Sequence, residues 1–511
     1  MNNPEKQASL AFFLSTAANE LFPERTLFIE HSLSDGYYCH FERKEKISSE
    51  DVGRLHKKIA DYLQGEGKIR LEKLPKSQLE AHFTSQKRKD KLAILNQWDV
   101  DPVPVVRFGQ YIDYRIEPVT TEKSTLRNFE LRQYDVGFIL RFLGDTFPEG
   151  VKTFRDAPKL YKIIKEHEVW GDILGVANIG ELNDLVTTDK IVEMIWVAEG
   201  LHEKKIAQIA DGLCREFPEK RVVFIAGPSS SGKTTFSRRL AVQLKVNGFS
   251  TRPISMDDYY LDHDKIPADD SGKKDIEKIS ALDITLLRDH VRSLLDGKEV
   301  PERKFDFKSR KGYFTGKTIT IPDNTFLLFE GIHGLNPIFA KSLSQESMQR
   351  IYISAITQLN VDNEHRVSTS DNRLLRRLVR DQQFRGYPAE VTLAQWDDVR
   401  KGEEENIFPF QEDADFMFNS SLLYEIPVLA DKVIPLLNRV DNKNPNFPEA
   451  QRLLTFLSFF NTILPEHIPE TSILREFFGG SALMGDGRWV MSEFTPNIRG
   501  FIEYRAMKDE G

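Results

Sequence analysis

The stretch VVFIAGPSSSGKTTFSRRLAVQL, Val222 to Leu244, joins a short apolar run to a Gly/Ser-rich turn and then to a segment with helical periodicity. Strand, turn and helix in that order give Gly227, Pro228, Ser229, Ser230, Ser231, Gly232, Lys233 and Thr234 the setting that a GxxxxGK[ST] phosphate loop requires. Gly227 and Gly232 permit the tight turn, and backbone N–H groups with the helix start, continued by Thr235, hold anionic phosphates. Lys233 reaches toward the β/γ region and Thr234 offers its hydroxyl to Mg²⁺. A chance Gly/Ser turn would not bring lysine, hydroxyl, strand and helix into agreement. The pattern points to a nucleoside triphosphate.

Two further strand ends lie downstream. Pro253 to Met256 reads as a strand that delivers Asp257, Asp258, Tyr259 and Tyr260 at its end, where a doubly wound sheet opens its ligand crevice. Asp257 is suited to orient and deprotonate an acceptor hydroxyl, or to contact hydrated Mg²⁺, and Asp258 to cap a helix. The apolar run Thr325 to Phe329 ends in Glu330-Gly331, giving a second carboxylate for the metal. In DNRLLRRLVRDQQFRG, Arg373, Arg376, Arg377 and Arg380 fall on one helix face. Such a face suits a lid that neutralises the migrating phosphoryl group, led by Arg376 and Arg377 and backed by Arg373 and Arg380; a solvated face paired with local acids is the alternative.

With 511 residues the chain exceeds a single typical domain. Its 40% hydrophobic and 29% charged residues describe a folding, soluble enzyme rather than a disordered or membrane chain. The 78 acidic and 70 basic side chains leave a charge of −8, so nothing global attracts nucleic acid or anionic lipid and a phosphate site must be built locally. Cys39 and Cys214 are too few for a disulfide framework and suit a reducing, cytoplasmic setting. No apolar run approaches the ~20 residues of a membrane span, and the first residues lack a secretory leader. Helices are expected at Ala8–Leu21, Val52–Leu63 and Val192–Cys214, strands within Val105–Tyr114 and Ser124–Phe142, a loop at Asn438–Pro448, and a buried helix at Leu453–Leu464. The expected architecture is an α+β accessory domain over residues 1–205, followed over 206–511 by an α/β domain with a mostly parallel sheet and a helical C-terminal extension.

Together with ISMDDYY (254–260), KDIEKISALD (274–283), KFDF (304–307), LLFEGIHGLNP (327–337) and Arg373–Gly386, the loop resembles the uridine kinase and phosphoribulokinase branch of P-loop kinases, its long fused members above all. The resemblance implies a P-loop NTPase fold using ATP and Mg²⁺, with Asp257 as the hydroxyl-activating aspartate and Glu330 as the magnesium-associated acid. It places the sugar-binding carboxylate at Glu277, with Asp275 and Tyr259 alongside, and nucleoside-facing aromatics at Phe305 and Phe307. Two departures bear on the substrate: glutamate rather than aspartate stands at 277, and FDFKSRKGYF lacks the histidine that pyrimidine nucleoside kinases carry there. Trp396, Arg400, Glu403 and the IFPFQ tract shape the substrate side or a subunit contact, or form a charged surface over a buried turn.

The first unit resembles the accessory and editing region of threonyl-tRNA synthetases, on LSTAANELFPE (14–24), DGYYCHFER (35–43) and Asp113–Leu131. At the positions of that region's two helical histidines, cysteine and later histidine this chain has Ala8, Phe12, Arg115 and Val119, so editing or zinc binding through them is not expected. His31 and His40 do not restore the spacing and read as structural or solvent-facing. The expected activity is transfer of the ATP γ-phosphoryl group to a small-molecule alcohol, with the 5′-hydroxyl of uridine or cytidine first. Another nucleoside, sugar or metabolite is one alternative, and a nucleotide-responsive RNA-binding or assembly protein the other. Homo-oligomerisation through the first unit fits either, whereas the acidic balance gives RNA little support.

Overall fold

In a computed structural model, residues 3–42, 45–143, 154–268, 274, 277–306, 309–339 and 348–484 are described. Asp275 and Phe307 lie outside the described residues. The chain divides into two units. Unit 1 comprises Met1–Ile195, Thr357–Asn372 and Leu423–Pro465, and unit 2 comprises Trp196–Ile356, Arg373–Leu422 and Glu466–Gly511. Two segments late in the chain, Thr357–Asn372 and Leu423–Pro465, thus group with the first part of the chain, because the contacts of a segment rather than its order define a compact unit.

Unit 1 carries strands β1 (Leu27–Leu33), β2 (Gly36–Phe41), β3 (Arg70–Leu74), β4 (Val103–Phe108), β5 (Tyr111–Tyr114), β6 (Phe129–Tyr134) and β7 (Gly137–Phe142). They form one sheet of order β1-β2-β7-β6 and a second of order β3-β4-β5, antiparallel throughout. The helix Pro4–Leu21 starts on an Asn3 side-chain cap with proline in its first turn. The helix Ser49–Gln64 starts on Ser48, whose side chain accepts from the Asp51 N–H at 3.0 Å. Phe12, Phe13, Leu55 and Ile59 from these helices join Leu27, Cys39, Phe138 and Leu140 of the sheet in one core.

The expected helix Leu453–Leu464 is displaced: helix runs over Phe447–Leu457 and stops. The Asn183 side chain donates to the Phe459 carbonyl at 2.8 Å and accepts from the Asn461 N–H at 2.8 Å. A side-chain amide therefore replaces the helical ladder while Phe459, Phe460 and Ile463 stay buried.

In unit 2, strands β8 (Val222–Ala226), β9 (Ser250–Ser255), β12 (Thr325–Glu330), β13 (Met348–Ser354) and β14 (Phe416–Asn419) form a parallel sheet of order β14-β13-β8-β12-β9. Every residue of β8 is buried, as expected for the central strand of a sheet covered on both faces. Strands β10 (Val300–Asp306) and β11 (Lys311–Ile319) form a separate antiparallel hairpin. Because β8 lies between β12 and β13, its C-terminal end is where the chain runs off to opposite sides of the sheet, the position at which such folds bind ligands. Among the described residues, no helix is long and apolar enough to cross a membrane.

Candidate active site

The phosphate loop leaves β8 at Gly227 and enters the helix Lys233–Val246 through Gly232, whose φ of 83° is left-handed and favours glycine. A Cβ on Gly227 would stand 2.0 Å from the Ile353 carbonyl oxygen, so only glycine lets the loop pass β13. Lys233 Nζ donates to the carbonyls of Gly227 and Pro228, both at 3.0 Å, folding the side chain back over the loop. Burial lowers the pKa of Lys233, opposed by Glu330, Glu476, Asp257 and Glu403.

Adjacent strand ends bring two carboxylates to this loop. Glu330 closes β12, which pairs with β8 on one side and β9 on the other. Its Oε1 accepts from the Thr234 hydroxyl at 2.6 Å. Burial and the neighbouring Glu476 and Asp257 carboxylates push Glu330 up to about 7, against the pull of Thr234 and Lys233. Asp257 lies in the short helical turn Met256–Tyr259 after β9, its N–H held by the Ser255 hydroxyl at 3.3 Å. Burial raises Asp257 to about 6; Lys233 and Arg385 oppose the shift and Asp258 adds to it. Hydroxyl and carboxylate oxygens together form a hard donor set suited to Mg²⁺.

The arginine helix Thr369–Arg380 turns several of its cations onto the backbone of the phosphate loop. Arg373 Nε donates to the Ser229 carbonyl at 2.9 Å, and its Nη2 pairs with Glu403. Glu403 Oε1 in turn accepts the Ser229 N–H at 2.7 Å. Arg376, with no exposed surface, donates to the carbonyls of Ser230 at 3.3 Å and Ser420 at 2.8 Å. A tight loop presents carbonyls on its outer side, and buried carbonyls require donors. Arg377 reaches the Ser229 hydroxyl at 3.0 Å and the buried Asp381 at 3.2 Å, and Arg380 and Arg385 also pair with Asp381.

The substrate-side positions divide. Glu277 lies beside Gly402, whose added Cβ would stand 3.5 Å from the Glu277 Cβ, and its charge is felt by Arg377. Tyr259 is buried, its hydroxyl 3.1 Å from His290 Nδ1, and Phe305 packs against the same core and on Tyr260. Tyr259 is thus part of that core and Phe305 lies half-buried at its edge.

Glu403, read from the sequence as substrate side, subunit contact or charged surface, touches the loop, as do Ser420 and Glu476, which carry no local sequence signal. Glu476 Oε2 accepts the Thr235 N–H at 2.8 Å. Its segment covers the loop further: a Cβ on Gly232 would meet Ile473 at 2.7 Å, and Arg238 donates to the Leu483 carbonyl. These three residues lie far from the loop in sequence and form no motif with it.

Residues 222–425 match the Phosphoribulokinase / Uridine kinase family. A uridine kinase of Deinococcus deserti is 28% identical over 175 residues, 34% of this chain and 75% of the relative. One of Staphylococcus epidermidis is 26% identical over 221 residues, 43% of this chain and 97% of the relative. The solved structure of a possible uridine kinase from Bacillus stearothermophilus is similar at 17% identity, covering 42% of this chain and 98% of that one with a TM-score of 0.29. A phosphate loop at the centre of a parallel sheet, flanked by strand-end carboxylates, agrees with that match over residues 222–425, and the chain is a kinase-type phosphotransferase.

Proposed function

We propose that the chain transfers the γ-phosphoryl group of ATP to the 5′-hydroxyl of a ribonucleoside, uridine or cytidine first. The observation that carries this reading is the convergence of Thr234, Glu330 and Asp257 on one loop across the neighbouring strand ends β8, β12 and β9. The names of the curated relatives support uridine as acceptor. Asp257 aligns the acceptor hydroxyl and takes its proton, a role that a carboxylate held at about 6 fulfils near neutral pH. Lys233 and backbone N–H groups from Ser230 to Thr235 hold the triphosphate. Thr234 and Glu330 are the residues that would hold Mg²⁺, which when bound neutralises phosphate charge. Arg377, Arg380 and Arg385 gather at Asp381 and are the cations nearest to a lid, while Arg373 and Arg376 shape the loop. Glu277 grips the sugar hydroxyls, with Asp275 and Phe307 assigned to the same side by resemblance.

The synthetase-like reading of the first unit is part of the proposal. Ala8, Phe12, Arg115 and Val119 all line one cavity of unit 1, as positions of one ancestral pocket would. None offers a nucleophile, so the unit serves substrate selection or assembly rather than hydrolysis. A cytoplasmic setting fits the two free cysteines.

Incubating the chain with γ-labelled ATP, Mg²⁺ and a panel of nucleosides and sugars tests the activity. Label transfer that depends on uridine or cytidine supports it. Transfer to a sugar alone moves the acceptor class, and RNA retention without any transfer replaces the enzymatic reading.

A further inference from the structure

Strands β1 and β2 pair with Phe28 opposite His40 and Ile29 opposite Cys39, and their register shifts between Ile29 and Ser32. A bulge of this kind re-aims side chains that would otherwise alternate between faces. Glu30 and His31 sit inside the shift, and both are buried. With Glu168 of the helix Pro158–Leu174 they bring one ligand atom each to within 4.8 Å of one another.

The surroundings orient these groups. His31 Nδ1 lies 3.2 Å from the Thr357 carbonyl oxygen. The tautomer assigned from that contact donates Nδ1–H and leaves the lone pair on Nε2, which lies 3.7 Å from Glu30 Oε2. An imidazole fixed through its other nitrogen by a carbonyl is the arrangement that metal-binding histidines carry. His40 Nε2 stands 3.3 Å from Glu30 Oε1 and steers that carboxylate from its far side, while Lys165 Nζ holds Glu168 Oε2 at 2.9 Å. Lys165 and His40 flank the two carboxylates, and the space between them suits a shared proton or a metal ion.

We propose that Glu30, His31 and Glu168 form a structural site for a divalent first-row transition metal of the Zn²⁺ or Mn²⁺ type, tying the β1–β2 bulge to the helix Pro158–Leu174. Mixed imidazole and carboxylate donors select such ions over softer ones. The site is independent of the kinase reading and of its Mg²⁺.

The test uses the full chain, stripped with a chelator and free of nucleotide, titrated with Zn²⁺ or Mn²⁺ by calorimetry and analysed for retained metal after gel filtration. Wild type is expected to keep one equivalent and to melt at higher temperature with it. Glu168→Gln and His31→Gln, each checked for native circular dichroism, are expected to bind it at least ~10-fold more weakly. Thr234→Ala, altered only at the phosphate loop, is expected to keep the equivalent. Failure of wild type to retain metal overturns the proposal and leaves a shared proton between Glu30 and Glu168. Undiminished retention by both folded variants overturns it as well.

Discussion

Glu476 Oε2 accepts the backbone N–H of Thr235 at 2.8 Å, in the first turn of the helix that leaves the phosphate loop. N–H groups at such a helix start are the natural partners of phosphate oxygens. A bound triphosphate and the Glu476 carboxylate therefore compete for one donor, and their like charges repel. A hydrogen bond to a charged group is worth about 1.5–3 kcal/mol. Part of that is recovered by the phosphate, so Glu476→Gln is expected to lower the KM for ATP by roughly 3- to 10-fold with a smaller change in kcat. A rise in KM would show that Glu476 helps to hold the nucleotide instead.

In the proposed reaction Asp257 takes the proton of the acceptor hydroxyl. Asp257→Asn is expected to leave ATP binding, measured by calorimetry, near the wild-type value while kcat falls by about 10²–10⁴. Because burial holds Asp257 at about 6, its basic form grows in as pH rises through that value. The kcat/KM profile for the acceptor should therefore climb between pH 5 and about 7, and the Asp257→Asn profile should lose that limb. Wild-type turnover by the variant would remove the role.

Both strand-end carboxylates are raised, Asp257 to about 6 and Glu330 to about 7. The sign follows from proton counting: between their ordinary values and these raised ones the folded chain binds more protons than the unfolded chain. Their contribution to stability is thus present at low pH and lost as pH rises through about 6 to 7. Mg²⁺ would bind the ionised Glu330 carboxylate, so its stabilising effect should be larger at pH 8 than at pH 5.5. Melting curves with and without Mg²⁺ at both pH values check this, and an equal shift at the two would argue against Glu330 as its ligand.

Arg376 is a positioning residue, buried with its guanidinium on the Ser230 and Ser420 carbonyls. Arg376→Ala strands those buried acceptors and is expected to cost about 2–4 kcal/mol of unfolding free energy along with ATP affinity. Chemical denaturation measures the first and calorimetry the second. An arginine that acted only on the migrating phosphoryl group would lower kcat and leave stability unchanged.

The phosphate loop and the strand ends carrying Asp257 and Glu330 were legible because each is a local signal, an apolar strand followed by its functional residue. The arginines were found by helical spacing, but spacing could not tell which carbonyls Arg373 and Arg376 meet. Those partners are set by the tertiary path of the loop. Glu403, Ser420 and Glu476 reach the loop from more than a hundred residues away, so no motif could connect them to it. The helix expected over Leu453–Leu464 failed for a related reason: the Asn183 amide that ends it is distant in sequence. His31 and His40 read as structural or exposed; both are buried, the first alternative, but their place beside Glu30 is concealed by a strand pattern interrupted by a bulge.

Identification of the product formed from uridine and ATP by mass and NMR tests the proposed activity most directly. Uridine 5′-monophosphate carrying the γ-phosphate of ATP is the expected product, formed by wild type and not by Asp257→Asn. ATP consumed with no phosphorylated nucleoside, or a product phosphorylated at another hydroxyl, would contradict it.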